Sequence, residues 1–299
     1  MSEKKKILVT GATGAQGGSV ADFLLKSGKY SVRAFTRNAG SDKAKSLTAE
    51  GIEVVEGSMD DVSSMSNAMK DCYGVFGVTS FWEHFNKEYE QGKNLVDAVS
   101  KSNVQHFIFS TLPGAKKISN GKYIAPHLDL KSELEDYAKS LNLKATYIHA
   151  AFYYENFLSF FPPQKGEDGS YSFGFPQSNN LRAISVEDLG GIVLQIFEHP
   201  EEYIGRTVFA AGDSLTPAEY AAIMSDVISK KVNFNFIPQE VFAGFGFPGA
   251  DDLAAMFAFQ QEFLPPPHTD ADECRKIYPG LKTFREWMEV NKDKFAFMS

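Results

Sequence analysis

From residue 7 to about residue 150, short apolar runs alternate with stretches whose apolar residues recur every three or four positions. The runs 7–10, 31–36, 52–56, 75–79, 107–111 and 145–150 have the near-continuous apolar character of strands covered on both faces. Between them, Val20 with Leu24, Leu95 with Val99, and Leu130 with Leu134, Tyr137 and Leu141 fall on single helical faces. Gly28 and Gly51 stand where a helix should stop and the chain should turn into the next strand. Strand, helix and parallel strand in alternation predict an α/β fold with a doubly wound parallel sheet of Rossmann type.

After residue 153 the rhythm breaks. Phe160-Phe161-Pro162-Pro163, Phe173-Gly174-Phe175-Pro176, Phe245-Gly246-Phe247-Pro248-Gly249 and Pro265-Pro266-Pro267 predict irregular, aromatic-rich loops around a pocket. A βα unit returns at 182–197, and 207–210 adds a strand. The division that follows is 1–153 as the Rossmann domain, with 177–212 returning to it. Segments 154–176 and 213–299 then form a smaller, discontinuous α+β C-terminal lobe.

Composition narrows the function classes. The chain has 299 residues, 43% of them hydrophobic, enough for a substantial core. Thirty basic against thirty-eight acidic residues give a formal charge of −8, which argues against direct nucleic-acid binding. The basic run Lys4 to Lys6 reads as a solvated end. Cys72 and Cys274 have no further cysteine at ligand spacing, so neither a disulfide framework nor a zinc site is indicated. The segment ahead of Ile7 is too short for a signal-peptide core or a membrane span. A cytoplasmic location with nuclear access, and no membrane association, are the expectations.

The chemistry concentrates directly after the first strand, in Gly11-Ala12-Thr13-Gly14-Ala15-Gln16-Gly17-Gly18. A dinucleotide diphosphate needs backbone N–H groups at a helix N-terminus with no side chains in the way. Glycines at 11, 14 and 17 supply the tight turn, the close approach and the helix packing. About twenty residues beyond Gly17, the second strand ends in Thr36-Arg37-Asn38 with no carboxylate. An acid at this point binds the ribose hydroxyls of NAD and repels a 2′-phosphate. Arg37 would instead pair with the phosphate and stack on the adenine, which points to NADP(H).

These motifs, together with Tyr153-Tyr154-Glu155-Asn156-Phe157, Ser185-Val186-Glu187-Asp188-Leu189-Gly190 and residues 244–256, resemble the NmrA-like family of atypical short-chain dehydrogenase/reductases. Within it the chain looks similar to redox-sensor proteins. The resemblance implies further cofactor contacts: Ser58 and Met59 beside the adenine, Thr79, Ser80 and Phe81 after the fourth strand, Lys131 on the ribose, and Tyr153, Tyr154, Glu155 and Asn156 near the nicotinamide. Ser58 departs from the Asp that related chains often carry there.

Reductases of the wider superfamily use a Tyr four residues before a Lys as proton donor. Here Lys131 is present, but position 127 is His, and Tyr123 lies two helical turns away. His127 at i and Lys131 at i+4 would share a helix face. His127 then either donates a proton, as imidazole does near neutral pH, or packs in a pocket that reduces nothing. Ser110, ending the fifth strand, either orients a substrate or satisfies backbone groups. Asp188 is expected to anchor the second lobe, and Phe157, Phe160, Phe161, Phe173 and Phe175 to pack a hinge. Two functions follow: a redox sensor responding to NADPH/NADP⁺ through a regulatory protein partner, or an NADPH-dependent oxidoreductase acting on a quinone or carbonyl.

Overall fold

Strand β1 (Lys5–Thr10) pairs in parallel with β2 (Tyr30–Thr36) on one side and β4 (Gly74–Gly77) on the other in the computed structural model. Residues 4–263 and 269–298 are described, apart from the side chains of His84 and Asn86; the opening residues 1–3 and the Pro265-Pro266-Pro267 run lie outside them. β2 pairs with β3 (Glu53–Glu56), β4 with β5 (His106–Thr111), and β5 with β6 (Ala145–Ala150), all in parallel. Strand Thr207–Ala210 lies beside β6, so the seven-stranded order runs from it through β6, β5, β4, β1 and β2 to β3. The chain winds outward from β1 in one direction and from β4 in the other. Such a reversal leaves a crevice outside the carboxyl ends of β1 and β4.

Ile7, Leu8, Val9, Val75, Phe76, Ile108, Phe109 and Ile148 are fully buried in this sheet. Helix α1 (Ala15–Lys26) buries Gly17, Val20, Ala21 and Leu24, the face that its apolar spacing marks. The glycines at 28 and 51 end their helices at φ +69° and +93°, a conformation a Cβ disfavours. Helix α2 (Asp42–Ala49) precedes β3, α3 (Val62–Ala68) follows it, and two short elements follow β4: α4 (Phe81–His84) and a 3-10 turn Phe85–Lys87. Helix α5 (Glu88–Ser100) packs Leu95, Val96 and Val99 into the core shared with Leu134 and Ala138 of α7 (Pro126–Ser140); the turn α6 (Ala115–Ile118) precedes α7 in the chain. Leu141, expected on that face, lies past the helix end and is exposed.

The fourth strand is shorter than its apolar run. Both backbone polar groups of Val78 are taken by the Thr10 side chain, whose Oγ1 accepts from Val78 N–H (2.8 Å) and donates to its carbonyl (3.0 Å). The ladder therefore stops at Gly77, and Thr79 sits beyond it.

The chain divides into two compact units. Met1–Leu112, Leu130–His149 and Glu187–Val208 form the first; Pro113–Asp129, Ala150–Val186 and Phe209–Ser299 form the second. Within the second, Tyr171–Phe175 is the middle strand of a sheet with Gln164–Lys165 and Val232–Phe236, and Leu181–Ile184 lies between Phe152–Tyr153 and Asp213–Leu215. The aromatic stretch around residue 173 is thus core rather than a pocket loop: Phe157, Phe173 and Phe175 are buried, and Phe175 stacks on Phe257 of helix Ala250–Phe263 at 4.5 Å and 7°. Gly174 misleads because it resembles a turn residue. Its hydrogen faces Asn235 O of the neighbouring strand, which a Cβ would approach to 2.4 Å. Phe160 is exposed.

Among the described residues, no helix is long and apolar enough to cross a membrane. Cys72 and Cys274 are buried and free.

Candidate functional site

The glycine turn is built at the carboxyl end of β1. Gly14 N–H donates to Gly11 O (2.9 Å), closing the turn, and Gly18 N–H donates to Gly14 O (2.9 Å), starting the helix. At Gly17 a Cβ would lie 2.3 Å from Gly11 O and 2.6 Å from Thr10 O, so glycine is required by backbone contact. Gly14 is the N-cap of α1, no side chain caps it, and the first turn carries no acidic residue. Gly11, Gly14 and Ala15 face solvent, Thr13 is half-buried and Ala12 is buried below them. The positive end of a twelve-residue helix is therefore presented outward without a neutralising side chain. Lys43 of α2 adds a cation, its Nζ donating to Thr13 O at 3.1 Å. Gln16 is held from the sheet side, where Ser110 Oγ donates to its Oε1 at 2.8 Å.

Arg37 stands just past the end of β2, exposed, with its guanidinium donating to the Glu83 carboxylate of α4 at 2.8 Å. Past β3, Ser58 Oγ accepts from Asp60 N–H (3.1 Å) and Met59 O from Asn94 Nδ2 (3.1 Å). Past β4, Ser80 is the N-cap of α4 and Phe81 is buried, edge-on to Trp82 and Phe85.

Lys131 is buried, and its ammonium donates to Thr79 O (3.1 Å), Thr79 Oγ1 (2.8 Å) and Glu88 Oε1 (2.6 Å). The Thr79 hydroxyl in turn donates to Glu88 Oε1 at 2.7 Å. An ammonium has three N–H donors, and all three are met by protein acceptors here. Glu88 is completely buried, so Lys131 serves as the counter-ion that such a carboxylate requires. Nothing in the sequence marks Glu88, which sits in an amphipathic helix among other charged residues. Lys43, Glu83 and Asp252 were equally unmarked.

In the second unit His127 is buried against Asp252. Asp252 Oδ2 accepts the His127 backbone N–H at 3.0 Å, and Oδ1 pairs with Nδ1 of the ring. The two contacts together fix the orientation of the ring. Tyr123 precedes α7 altogether and donates its hydroxyl to Glu262 at 2.8 Å. Tyr153 is half-buried at a strand end. The Tyr154 ring is fully buried against Phe284 and Trp287. Glu155 accepts from Ser185 Oγ (2.8 Å), Val186 N–H (3.0 Å) and Trp287 Nε1 (3.1 Å), so its carboxylate clamps three segments of that unit. Asn156 O accepts from Ser159 and Phe161 N–H. Asp188 belongs to the first unit and opens α8 (Leu189–Glu198), which packs on α1 through Gly190, whose N–H donates to Ser19 Oγ at 3.0 Å. Among the described residues no cluster of His, Cys, Asp or Glu is arranged to hold a metal ion.

An α/β unit with this strand order and a glycine turn at its switch point is of the dinucleotide-binding Rossmann class. A profile of the NmrA-like family matches residues 3–288, and the chain belongs to that family. It is 34% identical to an NmrA-like family domain-containing protein of Dictyostelium discoideum, over 87% of this chain and 88% of that one. It is 31% identical to the NmrA-like family domain-containing oxidoreductase FrzB of a Cladobotryum species, over 91% and 89%. The negative transcriptional regulator NmrA, solved in complex with NADP, shares the fold with a TM-score of 0.83 at 24% identity, over 96% of this chain and 95% of that one.

Proposed function

We propose that the first unit binds NADP(H) and that the protein is a regulator responding to the NADPH/NADP⁺ balance, its nucleotide state being read by a protein partner. The observation that carries the nucleotide assignment is the turn at residues 11–17. Backbone contact excludes any side chain at Gly17, and α1 opens beside it with no acid and no cap. A diphosphate fits such a cradle. Backbone N–H groups of the turn would hold it with Lys43 alongside, Arg37 would take the 2′-phosphate, and Ser58 and Met59 would flank the adenine. Thr79, Ser80 and Phe81 line the exit of β4, the other side of the switch point. The NADP complex of NmrA is in keeping with this assignment.

The regulatory reading is supported by Lys131, whose three N–H groups are committed to Thr79 and Glu88, and by the absence of Tyr at position 127. When bound, the nicotinamide supplies hydride chemistry and hence two redox forms. A sensor needs only to bind them with different affinity and to couple that difference to a conformation. Thermal stabilisation by NADPH, NADP⁺, NADH and NAD⁺ at matched concentrations tests the reading, since native-state binding adds stability directly. The phosphorylated pair should stabilise more, and Arg37→Ala should erase the difference. Equal stabilisation by all four would refute the assignment.

The His127–Asp252 pair favours a second reading, an NADPH-dependent oxidoreductase acting on a quinone or carbonyl, in keeping with the name of FrzB. A carboxylate-oriented imidazole is the arrangement general acids use. NADPH oxidation across a panel of quinones and carbonyls tests it. His127→Gln should then lower kcat while leaving NADPH affinity unchanged, whereas no oxidation above background across the panel removes the reading.

A further inference from the structure

The Arg37–Glu83 ion pair has a particular place in the fold. β2 and β4 are the two neighbours of β1 in the sheet, and the pair joins the end of β2 to the helix that follows β4. It therefore spans the carboxyl end of β1, where the glycine turn lies. A Glu83 carboxylate oxygen accepts from Arg37 Nη2 at 2.8 Å, the kind of bond a phosphoryl oxygen also makes.

The element that carries Glu83 is short and is anchored by the buried Phe81. α4 is a single turn, too short to be stable alone. It ends at Phe85, whose φ of 35° and ψ of −99° lie in a region a bulky side chain rarely adopts. Trp82 and Phe85 are both partly exposed and packed edge-on at 6.2 Å. Strain at Phe85 favours another arrangement, and the tie to Arg37 is one of the contacts that oppose it.

We propose that Glu83 tempers the preference for phosphorylated dinucleotides that Arg37 sets, and makes their binding visible. Its carboxylate competes with a 2′-phosphate for Arg37, so that NADP(H), and not NAD(H), releases the 81–87 turn. This rests on the reading that the first unit binds a dinucleotide with its 2′-phosphate on Arg37. A phosphate beside Arg37 both takes the guanidinium and repels Glu83, since like charges brought together disfavour each other. NAD(H) brings no charge to that position and leaves the tie intact. Trp82, one residue before Glu83, is the reporter; Trp287, the only other tryptophan in the chain, belongs to the second unit.

The test compares NADP⁺ and NAD⁺ by titration calorimetry on the full chain, Glu83→Gln and Arg37→Ala, with tryptophan emission recorded in parallel. Removing an exposed competing pair should raise NADP⁺ affinity about two- to five-fold and leave NAD⁺ affinity unchanged. Emission should shift with NADP⁺ and not with NAD⁺, the shift should vanish in Trp82→Phe, and Glu83→Gln should show it before any nucleotide is added. A Glu83→Gln chain whose two affinities change alike, or whose NADP⁺ affinity stays the same or falls, overturns the role of Glu83 as competitor. Emission that responds equally to both nucleotides does the same. If the parent chain does not bind NADP⁺, or Arg37→Ala retains the preference for it, the cofactor reading fails first and this proposal with it.

Discussion

Alanine at position 17 is the smallest perturbation that separates a required glycine from an incidental one. Its Cβ would meet Gly11 O at 2.3 Å, Gly11 C at 2.5 Å and Thr10 O at 2.6 Å. Non-bonded carbon contacts are comfortable near 3.5–4.0 Å, so the link between β1 and α1 must move by roughly 1 Å. No flexible side chain can absorb that, because all three atoms are backbone. Overpacking costs about 1–3 kcal/mol, and the upper end applies where main chain must yield. At about 2–4 °C per kcal/mol for a chain of this order of size, Tm should fall by roughly 6–12 °C. The same shift moves the N–H groups that face the diphosphate. Loss of one charge-assisted hydrogen bond, about 1.5–3 kcal/mol, would weaken NADP⁺ binding on the order of ten- to a hundred-fold. Gly18→Ala is the control. Its Cβ meets only Ala12 O at 3.3 Å, and alanine favours a helix by about 0.5–1 kcal/mol. Thermal unfolding with and without NADP⁺ checks both variants. Equal Tm and equal NADP⁺ stabilisation in the two would refute the close-approach argument.

Four further outcomes follow from ionisable side chains held away from water. Lys131→Met leaves the Glu88 carboxylate buried without its counter-ion and should cost about 3–5 kcal/mol in urea unfolding; adding Glu88→Gln should restore most of that, and a double variant as unstable as the single would disprove the pairing. Burial holds the His106 imidazole down to about 4 from 6.5, so only the unfolded chain takes a proton there, and stability should decline as pH falls from 6.5 towards 4. At Glu135 burial alone would push the carboxyl up, but the His149 hydrogen bond and charge, with Lys139 and Thr111, bring it down to about 2 from 4.5. Its contribution, on the order of 3 kcal/mol, is complete above pH 4.5 and lost as pH drops towards 2, so Glu135→Gln should flatten the urea-derived stability curve in that lower window alone. Glu155→Ala removes the acceptor of Ser185, Val186 and Trp287 and should cost about 1–3 kcal/mol for each donor left dry, seen as a Tm loss that NADP⁺ does not repair.

The sequence alone determined what local periodicity and local sterics encode. Apolar runs gave the six strands of the first unit because a sheet covered on both faces needs side chains that are apolar on both faces. The glycine spacing at 11, 14 and 17 gave the turn, because only one residue type leaves room where backbone meets backbone. Strand ends were less legible: β4 stops at Gly77 because of the Thr10 hydroxyl, far away in sequence. Tertiary structure alone decided the partners of charge. Lys131 with Glu88, Arg37 with Glu83 and His127 with Asp252 are separated in the chain by 43, 46 and 125 residues respectively. Single charged residues on amphipathic helices look alike until the fold selects which of them lose water together. Gly174 makes the same point for packing, since the chain that crowds it lies some sixty residues further on.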